Sequence, residues 1–127
     1  MNQELLNLYT VLQPFFRGRM GEWQVGDYWH SEKYKMGGWY SLWSCEQAKD
    51  NDTIIVPHTI DDSSPEAQKR SLWGMFEVPP SVSFNSFTNK YICSLWDKQP
   101  MLIGDFDGAT VTEAILKALC VQEGVEV

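Results

Sequence analysis

The sequence predicts an α+β protein: a mainly antiparallel sheet with an N-terminal and a C-terminal helix packed on it, forming a single domain over residues 1–127. Three observations carry this. The chain begins and ends on segments with apolar residues at helical spacing. Between them lie short β-prone runs separated by turn residues. At 127 residues, 43% of them hydrophobic and 21% charged, the chain has the size and composition of one ordinary folded domain.

Leu5, Leu8, Tyr9 and Leu12 recur at i, i+3, i+4 and i+7, which is one face of a helix. Pro14 disfavours helical geometry at Gln13, so this helix is expected to stop near Leu12 or Gln13. Next comes the stretch GEWQVGDYWHSEKYKMGGWYSLW, Gly21–Trp43, with four of the six tryptophans. Trp23, Val25, Tyr28 and Trp29 make one β-prone segment and Trp39–Ser44 a second, with a polar loop ending in Gly37–Gly38 between them. Trp39 and Trp43 share one strand parity, and a chain this short needs aromatic volume, so both are expected in the core of a sheet covered on both faces.

Thr53–Pro57 is a third strand candidate. Ser63-Ser64-Pro65-Glu66 then has the cap, proline and glutamate of a short helix start. Val78–Asn89, with paired prolines and three serines, reads as irregular chain or an edge. Lys90–Trp96 and Met101–Phe106 are strands joined by a compact turn at Asp97–Pro100. Thr110 and Glu113 form a capping box, and Val111, Ala114, Ile115, Ala118 and Leu119 form the apolar stripe of a last helix ending near Gln122–Gly124.

Charge narrows the functional classes. The net charge is −7, with five acids and no base from Asp50 to Glu66. No basic stripe exists to hold phosphates, which excludes nucleic acid as an expected partner. No apolar run reaches the roughly 18 residues of a membrane span, and MNQELLNLYTVLQPFF lacks the features of a signal peptide. The expected compartment is the cytoplasm of a host cell. Cys45, Cys93 and Cys120 are odd in number and scattered, so all three are expected as reduced thiols, with Cys120 at least partly buried beside the last helix.

No catalytic, cofactor or metal constellation emerges. Leu102–Val111, LIGDFDGATV, resembles the D-x-D-G-T aspartate-nucleophile motif of haloacid-dehalogenase-like phosphatases, but Ala109 takes the threonine position and little chain follows for the rest of that fold. Asp105, Asp107 and Gly108 are instead expected to form a strand-to-helix turn. His30 and His58, with Cys45, Asp61 and Asp62, lack the spacing of a metal site.

The segment Tyr91–Gly124 contains a strand pair, a turn and an A-T-x-x-E-A-x-x-x-A-L helix, and Val25–Tyr28 reads VGDY after an N-terminal helix. Both patterns resemble small uncharacterised proteins of tailed phages and prophages. The resemblance implies a phage accessory protein and no known activity.

Function is therefore expected to be binding without catalysis, to another protein. The alternatives are a self-associating virion or assembly component and a small-molecule or glycan binder using exposed tryptophans. Leu116 lies off the main stripe of the last helix, as Leu6 and Val11 do on the first. The two helices are expected side by side, with leftover apolar surface at Leu116, Leu6 and Val11 as the interaction surface. Trp29, as an exposed tryptophan, completes that set.

Overall fold

The computed structural model describes residues 2–40 and 53–125. Its order is α1 (Gln3–Val11), α2 (Gln13–Met20), β1 (Tyr28–Ser31), β2 (Met36–Trp39), β3 (Thr53–Ile55), α3 (Pro65–Arg70), β4 (Ser81–Asn85), β5 (Lys90–Trp96), β6 (Leu102–Gly108) and α4 (Val111–Gln122). The strands form two antiparallel three-stranded sheets, ordered β2-β1-β3 and β4-β5-β6. The α+β class is as expected, although two small sheets replace the single one.

Asn2 caps α1 by accepting the Leu5 N–H, and Leu8, Tyr9 and Leu12 are buried as the stripe requires. The chain does not then leave helical structure. Pro14 sits in the first turn of α2, where its missing N–H costs nothing, and Phe16 and Met20 extend the buried face. Gln13, at the junction, is buried. Its side-chain amide donates to the Ile55 carbonyl (2.8 Å) and accepts from the Ile55 N–H (2.9 Å), so it takes the place of a neighbouring strand at Ile55, on the side of β3 away from β1. Arg17 adds a bond to the Thr53 carbonyl at 2.9 Å.

In α4 the Thr110 hydroxyl accepts the Glu113 N–H, while the Glu113 carboxylate accepts the Ala109 N–H at 3.0 Å. Burial works against ionisation of Glu113, but that N–H bond together with contacts to Glu4 and Lys117 holds its carboxyl below the usual value of 4.5. The helix is buried on more than its stripe. Glu113, Ala114, Ile115, Leu116, Ala118, Leu119 and Cys120 are all inside, because β5 and β6 pack on one side and α1 on another. The two terminal helices thus do lie against each other, and Lys117 bridges them by an ion pair to Glu4 at 3.6 Å.

The same packing corrects the expected interaction surface. Leu116 is fully buried, Leu6 and Trp29 are buried, and Val11 is packed against the core. None of the four offers the exposed apolar side chain that the sequence pattern implied. The central core joins Leu8, Leu12, Phe16, Ile55, Leu72, Leu95, Ile115 and Leu119 from both sheets and three helices. Cys93 and Cys120 are free thiols inside it, and burial pushes both to about 11. Cys45 and Trp43 lie outside the described residues.

Candidate functional site

The hairpin β1–β2 reverses through Glu32–Lys35, with Lys35 at a φ of 52°. Tyr28 pairs with Trp39, His30 with Gly37, and Trp29 with Gly38. Alternation then sends Trp29 and Ser31 inward and Tyr28, His30 and Trp39 outward. The two glycines, expected in a loop, are strand residues for a steric reason. A Cβ on Gly37 would stand 2.7 Å from the Trp29 carbonyl oxygen and 3.0 Å from the Tyr28 hydroxyl; Gly38 lies under the Trp29 ring.

The outward face carries an aromatic row. Trp39 is 57% exposed, so it is not the core residue that its parity and size suggested. Strand parity separates two faces but does not say which is covered, and it is Trp29 and Ser31, on the other parity, that are buried. One side of the Trp39 ring stacks on His58 (centroids 4.9 Å, planes 13° apart), and Tyr28 meets it edge-on at 4.8 Å. Trp23 and Tyr40 stack nearby at 5.6 Å. His58 reaches this position because the chain runs straight on from β3: the Val56 N–H donates to the Tyr28 carbonyl, and the His58 carbonyl accepts from the Leu72 N–H.

Beside the row opens a cleft of about 310 Å³, lined by Val25, Tyr28, His58, Asp61, Ser63 and Glu66 among others. Its wall is fixed by a buried ion pair. Arg70 donates through Nε to Asp27 Oδ1 (3.1 Å) and through Nη2 to Oδ2 (2.6 Å), and through Nη1 to the Met20 carbonyl (2.7 Å). The rim is acidic. The hydroxyl and N–H of Ser63 hold the Asp61 carboxyl below its ordinary range; away from the cleft, in the hairpin turn, Lys35 and His30 do the same for Glu32. Val25 on the cleft and Tyr34 in the hairpin turn add exposed apolar surface.

Among the described residues His30 bonds to Glu32 and His58 to the Gly26 carbonyl. Among the described residues no group of three His, Cys, Asp or Glu side chains is placed to hold a metal ion, and no helix is long and apolar enough to cross a membrane. Asp105 and Asp107 lie on β6 itself, not in a turn, where Asp105 accepts the Ser94 hydroxyl at 2.6 Å and Asp107 meets Lys90 at 3.6 Å. The aromatic stretch pointed at this region, but His58 comes from beyond β3 and no local pattern links it to Trp39. Comparison with protein-family models, curated proteins and solved structures returns no match for this chain.

Proposed function

We propose that this chain is a non-catalytic binding protein whose partner is another protein, contacted through the outer face of the first sheet around Trp39. The observation that carries this is the exposed Trp39 held between Tyr28 and His58, with an exposed Tyr34 in the turn of the same hairpin. Tryptophan and tyrosine are enriched at the centres of protein interfaces, and a ring held rigidly before binding loses little entropy on contact. The acidic rim at Asp61 and Glu66 favours a partner with basic residues around its apolar contact. A glycan is the weaker reading, because the imidazole of His58 already takes one flat face of the Trp39 ring. The resemblance to small phage and prophage proteins supports a role as an accessory factor in the host cytoplasm.

The test is quantitative capture from host lysate, comparing the wild-type chain with Trp39→Ala and Tyr34→Ala. Both side chains are exposed, so both variants fold. A protein captured by wild type and lost selectively with Trp39→Ala supports the reading. Capture unchanged by either substitution overturns it.

A further inference from the structure

We propose that two copies of this chain pair through β4, antiparallel about a two-fold axis at Ser83, so that their second sheets join into one six-stranded sheet. β4 is an end strand: it pairs with β5 on one side, and among the described residues no strand pairs with the other. Exposed strand edges template pairing with another chain unless they are blunted by charge, proline or a bulge. β4 has none of these. Val78–Asn89 is twelve residues without a charge, the prolines at 79 and 80 precede the strand, and its register with β5 is unbroken. β6, at the opposite edge, carries Asp105 and Asp107 and pairs through a register shift near Trp96.

The sequence of β4 is complementary to itself. With Ser83 on the axis it faces the partner's Ser83, Val82 faces the partner's Phe84, and Ser81 faces the partner's Asn85. The aromatic–β-branched pairs fall on the face that Cys93 and Tyr91 share with α4, and the Ser–Asn pairs fall on the polar face. A strand of odd length centred on one residue closes this way whichever alternate backbone groups point outward.

Electrostatics select this edge for a second copy. Two chains of net charge −7 repel over most of their surfaces, and this uncharged stretch is where like meets like without that penalty. Apolar surface is waiting there as well. Phe84 is 51% and Phe87 98% exposed, which comes to roughly 300 Å² of aromatic surface per copy. A standard interface takes about 800 Å² per partner, so the two rings and the strand edge supply a substantial part of a modest, concentration-dependent dimer.

The test uses light scattering and sedimentation on the full chain from micromolar to millimolar concentration, with Ser83→Lys, Ser83→Glu and their equal mixture. Ser83 is exposed, so the variants keep the fold, which circular dichroism verifies. Wild type should reach twice the 14.6 kDa monomer mass. Each single variant sets like charges across the axis and should weaken pairing by about tenfold or more. The mixture should restore it as a Lys–Glu heterodimer. Phe87→Ser should weaken the dimer without touching the axis. A wild type that stays monomeric throughout overturns the proposal. So does a dimer indifferent to Ser83→Lys, or a mixture that fails to recover.

Discussion

Replacing Arg70 by methionine removes the guanidinium that ties α3 to the loop before β1. The side chain of Asp27 is 8% exposed and that of Arg70 16%, so this pair is screened little by solvent. Methionine fills most of the same volume but donates nothing. Asp27 then keeps one donor, the Gln24 N–H at 2.8 Å, and loses two charge-assisted bonds. The Met20 carbonyl loses its donor as well. Breaking one side of a buried pair costs about 3–5 kcal/mol, chiefly because the other charge is stranded. We expect about 3–4 kcal/mol for Arg70→Met, and roughly 2 kcal/mol for Asp27→Asn, which keeps the Gln24 bond. The double variant strands no charge and should cost at least about 1.5 kcal/mol less than the two singles together. Urea denaturation followed by tryptophan fluorescence measures all three. A loss under about 1 kcal/mol for Arg70→Met, or strict additivity, would place the pair among weak surface contacts and refute the argument.

Leu116→Ala should destabilise by about 2–5 kcal/mol in the same assay, because it empties a site that is fully enclosed. Trp39→Ala should cost less than about 1 kcal/mol, since most of that ring is in water; a core-sized loss would show it to be structural. Glu113, whose carboxyl is lower in the folded chain than in the unfolded one, stabilises above pH 4.5 and loses that contribution as the pH falls through its folded value. Glu113→Gln should therefore narrow the stability difference between pH 7 and acid, and an unchanged difference counts against the capping contact. In a Cys45→Ser background, Cys93 and Cys120 should resist alkylation at pH 8 until urea unfolds the chain; labelling of the native protein would contradict their burial.

The parts of this fold that were legible from sequence are those fixed by neighbouring residues. Thr110 with Glu113 and Ser64 with Pro65 set helix starts whatever surrounds them, and β5 and β6 lie where the β-prone runs are. What escaped is set by distant packing. Pro14 can end one helix or begin the next, and only the anchoring of Gln13 on β3 decides. Gly37 and Gly38 read as a loop until the rings of Tyr28 and Trp29 lie across them. Leu116 lies off the stripe of α4, yet a helix enclosed by a sheet and a second helix has more than one buried face. Trp39 belonged to a visible aromatic cluster, but which of the two strand faces is buried depends on packing that local pattern does not carry.

The contact between Gln13 and Ile55 sets an unusual tolerance to substitution. A position between two helices, in a polar residue with no charge, would be judged freely exchangeable from its neighbours alone. Its side chain must donate and accept at once, at two backbone atoms of the same residue, across the distance that separates α2 from β3. Glutamate accepts but cannot donate when ionised, lysine donates but cannot accept, and leucine does neither. Asparagine has both groups on a stem one methylene shorter. A saturation scan of the chain would therefore find Gln13 among its least replaceable positions, ahead of many leucines whose burial is greater but whose volume other apolar residues can fill.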